Sequence, residues 1–186
     1  IKWRDIKWPN APRHILSKEG RLTVSGTLPN LNIELSSKLN RTPQEQWQLK
    51  GTVHGTLPWN WSFDLNLNQP YDKNTLKEGI YTALSLSGAL KNPHEGQLTL
   101  KVAPGHYQLP KDSKITSLAF EGGVINSRLS PKGLEGNGIL ALDENKLFKL
   151  KFNLPHFNLA QGITNKQSFS SDLSLAINSF DFLTPL

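Results

Sequence analysis

The chain has 186 residues, 37% of them hydrophobic, with a net charge of +6 and a pI near 9.6. It has no cysteine, which excludes a disulfide framework and a thiolate metal site. No apolar run nears the roughly 20 residues of a membrane-spanning helix, and the lysines are scattered, so nothing points to nucleic acid.

In chain order, the pattern is one strand after another. Trp3 and Trp8 frame WRDIKWP at 3–9. Leu22 and Val24 flank Thr23, and Leu31, Ile33 and Leu35 alternate with Asn32 and Glu34. Residues 41–48, RTPQEQWQ, are a short helix candidate. Trp59, Trp61, Phe63, Leu65 and Leu67 alternate with Asn60, Ser62, Asp64 and Asn66, which predicts one strand with an aromatic stripe. Residues 72–79, DKNTLKEG, are the better helix candidate, with a cap-like Asp72 or Asn74 and a closing Gly79. Leu84 and Leu86 then alternate with Ser85 and Ser87, and Leu98, Leu100 and Val102 with Thr99 and Lys101. Phe148, Leu150, Phe152 and Leu154 alternate with Lys149, Lys151 and Asn153. Residues 165–172, NKQSFSSD, read as a loop before Leu173, Leu175 and Ile177. Period-2 alternation puts apolar side chains on one sheet face and polar ones on the other.

The separators are turn residues: Pro29-Asn30, Asn92-Pro93, Pro104-Gly105, Gly122-Gly123 and Asp143-Glu144-Asn145. One of them repeats. GTLP occurs at 26–29 and again at 55–58, each time before an alternating run, and a looser copy starts at Gly88. A unit that cannot bury its own apolar face must stack on neighbours.

Reactive constellations are missing. The five histidines have no metal-ligand spacing, and there is no nucleophile elbow, phosphate loop or dinucleotide fingerprint. We expect no enzyme activity, no metal and no cofactor. The chain therefore holds many one-sided strands and no helix long enough to cover them. Two solutions follow. The sheet closes into a sandwich or barrel, in which Trp59 and Trp61 could serve as a saccharide platform. Or it curls incompletely and leaves an apolar groove for a long apolar ligand. Physics of the residues alone slightly prefers closure.

A resemblance shifts that balance. Trp3, Ile6, Trp8 and Pro9, followed by Gly20, Leu22, Val24 and Gly26, resemble the repeat of the TamB family of AsmA-like envelope proteins. Gly88, Leu90, Pro93, Gly96, Leu98, Leu100, Leu109 and Pro110 look like a second family unit, and Gly136 and Gly138 like part of the next. The resemblance covers about two-thirds of the chain and is weakest over 157–186. It implies an all-β fold: an extended, curled antiparallel or mixed sheet forming an open trough, a β-taco, with an apolar interior. It also implies a periplasmic location in a Gram-negative bacterium and a parent protein anchored in the inner membrane. Residues 1–186 would be a single segment of that parent. Phospholipid acyl chains and a TamA-like outer-membrane barrel would be the partners. Leu31, Ile33, Leu35, Trp59, Trp61, Phe63, Leu65, Leu84, Leu86, Leu98, Leu100, Phe148, Leu150 and Phe152 are the expected trough lining. An exposed sheet edge that accepts strands of client outer-membrane proteins is the rival role.

Overall fold

The computed structural model describes residues 1–7, 16–42, 45–69, 79–109, 117–143, 146–157, 159 and 169–177. These form β1 (Lys2–Lys7), β2 (Leu16–Thr27), β3 (Asn30–Thr42), β4 (Glu45–Thr56), β5 (Trp61–Asn68), β6 (Gly79–Tyr81) and β7 (Ala83–Asn92). They continue with β8 (Glu95–Val102), β9 (Gly105–Gln108), β10 (Ser117–Phe120), β11 (Gly122–Ser130), β12 (Gly133–Asp143), β13 (Lys146–Pro155) and β14 (Ser170–Ile177). The fold is all-β, with no helix among the described residues.

Eleven strands form one antiparallel sheet in the order β1-β2-β3-β4-β5-β7-β8-β11-β12-β13-β14. Nearly every neighbour in space is a neighbour in sequence, as hairpin connections dictate. The edge strands β1 and β14 do not pair with each other, so the sheet is not closed into a barrel, and the scarcity of buried apolar side chains among the described residues argues against a closed sandwich. The largest inter-element contacts join hydrogen-bonded neighbours, and β10 also touches β12.

β6, β9 and β10 form a small sheet of their own, in the order β10-β9-β6. Each leads into or out of a main-sheet strand across a break of one or two residues: β6 into β7, β8 into β9, β10 into β11. Thr82 marks the bend, its Oγ1 donating to Ala103 O at 2.8 Å while its own carbonyl accepts from Gln69 N at 3.0 Å. Gly122 enters β11 at φ +84°, where a Cβ would strike the Val102 carbonyl.

The two GTLP copies end β2 and β4 at the same rim of the sheet. In both, the Leu–Pro bond is cis, and Leu57 N donates to Pro29 O at 3.0 Å, so the copies stand side by side. Two further backbone bonds link the turns of this rim, His156 N to Lys132 O at 2.9 Å and Leu159 N to Pro93 O at 3.1 Å.

Two expectations change, and a third is not tested. The helix candidate at 41–48 is extended at its described residues: Arg41 and Thr42 end β3, and Glu45 to Gln48 begin β4. Trp47 stands opposite Leu39 there, and cross-strand pairing outweighs the helix-forming Gln and Glu. The candidate at 72–79 lies outside the described residues except for Gly79, which opens β6. The loop expected at 165–172 ends sooner, since Ser170 and Ser171 already pair with Asn153 and Phe152.

Candidate functional site: one continuous apolar face

Residues directly opposite in an antiparallel ladder share a face. The register therefore builds rows across the sheet. One runs Leu35–Gly51–Leu65–Leu86–Leu100–Ile125–Gly138–Leu150, over eight strands. The next runs Ile33–Val53–Phe63–Gly88–Leu98–Ser127–Gly136–Phe152. Leu31, Gly55, Trp61, Leu90, Gly96, Leu129, Leu134 and Leu154 make a third. A fourth holds Leu49, Leu67, Leu84, Val102, Gly123, Leu140 and Phe148. None of these four rows contains an ionisable residue. The opposite face of the same strands carries Glu34, Lys50, Asp64, Lys101, Arg128, Glu135, Lys149 and Lys151.

All the expected lining residues except Trp59 fall on this face. Trp59 sits in the turn before β5 and is 37% exposed. Asn60 follows at φ +85°, and that left-handed residue breaks the alternation Trp59 would need to join Trp61. The stripe is thus Trp61, Phe63, Leu65 and Leu67, each half-buried, with every residue between them exposed.

The face interlocks large side chains with glycines. A Cβ at Gly55 would overlap the Trp61 indole, one at Gly88 would lie 2.8 Å from Phe63 Cζ, and one at Gly136 would overlap the Phe152 ring. Gly20 relates to Trp3 in the same way, and Trp3 Nε1 donates to Ser17 Oγ at 2.6 Å. The Ser17 and Ser37 hydroxyls bond each other at 2.7 Å beneath it. Trp61 Nε1 likewise finds Pro58 O at 3.1 Å. Each ring covers backbone that a glycine leaves bare, and each indole N–H is paired, as an aromatic with a polar tip requires.

No second layer covers this face among the described residues. Among the described residues only Tyr81, Leu129 and Leu154 are buried large apolar residues, and no side chain is fully buried. In a two-layer domain, rows of leucine and phenylalanine this long would be enclosed. At about 4.8 Å per strand, the eight strands that carry the rows span some 34 Å, and the four rows cover about 20 Å along them. Such an area exceeds the few hundred Å² of contiguous apolar surface that a monomer ordinarily shows.

Several face residues escape a search for large alternating side chains: Leu49 and Val53 on β4, Ile125 and Leu129 on β11, and Leu134 and Leu140 on β12. Glycine fills the intervening inward positions on β4 and β12, at Gly51 and Gly55 and at Gly136 and Gly138, and Ser127 stands between Ile125 and Leu129 on β11. Counting glycine and serine as inward residues in period 2 recovers them. Among the described residues no three of His, Asp and Glu gather in a way that could hold a metal ion.

No known family, characterised protein or solved structure matches the chain.

Proposed function

We propose that this chain is a stretch of an open lipid conduit in a bacterial cell envelope. The observation that carries the reading is the uncharged apolar face, four rows deep and eight strands wide, with no covering layer among the described residues. A ligand suited to it is long, apolar and indifferent to specific polar contacts, because the face offers almost none. An acyl chain of about sixteen carbons gains on the order of 10 kcal/mol on full burial, at about 0.8 kcal/mol per methylene, before ordering costs. Half-buried leucines supply a smooth surface along which such chains can slide. The motif resemblance to the TamB family supports phospholipid as cargo, transfer between inner and outer membranes as the task, and an outer-membrane barrel as assembly partner. The function is non-enzymatic.

Photo-crosslinking amino acids at Phe63 and Leu100 test this in cells. Both should capture phospholipid, and one at Asp64, on the other face of the same strand as Phe63, should capture none. Equal capture from both faces, or none from either, would sink the conduit reading.

A second reading draws on the outer edges of β1 and β14, which have no strand partner among the described residues. An open edge can accept a strand from a client protein by β-augmentation. Leu65→Asp with Leu100→Asp separates the two readings. Lost lipid capture with intact client binding supports the conduit, and the reverse supports the strand acceptor.

A further inference from the structure

The polar side of β1–β4 differs from the rest of that face. The register sets Lys2, Arg21, Ser36 and Lys50 in one row and Arg4, Glu19, Lys38 and Gln48 in the next. A depression of about 600 Å³ opens among them. On each strand its lining takes two outward residues and the one between them, Trp3, Gly20, Ser37 and Leu49. Five cations, Lys2, Arg4, Arg21, Lys38 and Lys50, meet one carboxylate there, and that carboxylate, Glu19, is already paired with Lys38. A larger depression of about 950 Å³ lies on the same face between β7 and β13, but its charges are mixed. There Lys91 bonds Glu95 at 3.1 Å, and Arg128 stands directly opposite Glu135. The excess positive charge is therefore most concentrated on β1–β4.

We propose that the polar side of β1–β4 docks on the phosphates of anionic phospholipid headgroups at a membrane surface. All five cations are exposed, so the site is built to meet a surface rather than to enclose a small anion. Three strand intervals of about 4.8 Å give it a width near 15 Å, enough for several phosphates at once. A single-stranded nucleic acid would want aromatic faces among the cations. The nearby described indoles belong to the opposite side, Trp3 over Gly20 and Trp47 opposite Leu39. The proposal concerns the face opposite the apolar rows, so headgroup contact and acyl-chain contact would occupy different sides of one sheet. It does not depend on the conduit reading.

Flotation of the full chain with vesicles at low ionic strength tests it. Each basic side chain near an anionic surface multiplies affinity about fivefold. Vesicles of phosphatidylcholine with roughly one-third phosphatidylglycerol should bind the chain far more tightly than vesicles of phosphatidylcholine alone, which can engage only the apolar face. The triple variant Lys2→Gln, Arg21→Gln, Lys50→Gln should lose about a hundredfold in affinity for the anionic vesicles. The triple Lys101→Gln, Lys149→Gln, Lys151→Gln removes equal charge elsewhere on the same face and should lose less than about fivefold. Circular dichroism should show both triples folded. Equal losses in the two triples would assign binding to overall charge and overturn the proposal. Equal binding to neutral vesicles would overturn it, and so would displacement by inorganic phosphate beyond that by chloride of the same ionic strength. Tighter binding of a single-stranded oligonucleotide, abolished by the first triple, would reassign the surface to nucleic acid.

Discussion

β4 and β5 lie side by side and build the same face in opposite ways. Toward the apolar side β5 presents Trp61, Phe63, Leu65 and Leu67, while β4 presents Gly55, Val53, Gly51 and Leu49 at the paired positions. The bulk of one strand rests in the gaps of the other. β12 and β13 repeat the arrangement, with Gly136 under Phe152. The comparison teaches how a single sheet holds a wide apolar face without a second layer. Side chains cannot interdigitate with a facing sheet, so they pack sideways across neighbouring strands, and glycine supplies the room.

The most severe way to break the pairing is to fill a gap under a ring. Gly136→Leu meets the Phe152 ring and, at 3.0 Å from its Cβ, the Asn126 carbonyl. Overpacking of this kind costs about 3 kcal/mol, which at this chain length lowers the melting temperature by about 10 °C. Adding Phe152→Ala should return most of that loss, because the space then exists. A thermal-unfolding double-mutant cycle reads the coupling directly. Additive losses would mean that ring and glycine are independent and the interlock is incidental.

A finer version sets one glycine against another. Gly88→Ala places a methyl 2.5 Å from the Gln97 carbonyl and 2.8 Å from Phe63 Cζ, and backbone has little freedom to yield. Gly51→Ala instead meets the tip of Leu65, which can change rotamer, while the nearest backbone atom, Asp64 O, is 3.3 Å away. Gly88→Ala should cost about 1–2 kcal/mol and Gly51→Ala less than about 0.5 kcal/mol. Urea midpoints of the two variants check the order, and a larger loss at Gly51 would refute it.

The same contrast separates the strands that are plain in the sequence from those that are hidden in it. β5 was legible from Trp61 onward because its inward positions are all large. β3, β8 and β13 were legible for the same reason. β4 was obscured because its inward positions alternate large and absent, and the polar run before Trp47 imitates a helix start. β11 and β12 hid behind Gly123, Gly136, Gly138 and Ser127 at inward positions. Trp59 failed differently. It has the right parity, and a single left-handed Asn60 removes it from the strand. Whether the sheet closes was not legible, since closure depends on pairing between β1 and β14, whose sequences carry no sign of it either way.

The least costly test lies on the opposite face, where β2 and β3 carry the Lys38–Glu19 pair. The hydrogen bond and charge of Lys38 hold the Glu19 carboxyl below the ordinary glutamate value, with Arg4 and Lys18 adding to the effect. A carboxylate whose folded pKa is depressed contributes stability above its unfolded pKa and loses it as pH falls through the folded value. The contribution here is slight, because both side chains are more than half exposed and water screens the pair. A carboxyl-detected NMR titration should place Glu19 below the ordinary glutamate midpoint, and Lys38→Gln should raise it. A midpoint that stays depressed in Lys38→Gln would assign the effect to Arg4 and Lys18, and the ion pair would then be no more than a neighbour of the basic cluster around it. An ordinary midpoint in the unsubstituted chain would show that the pair does not form in solution, leaving Lys38 free to join the four other cations on that side.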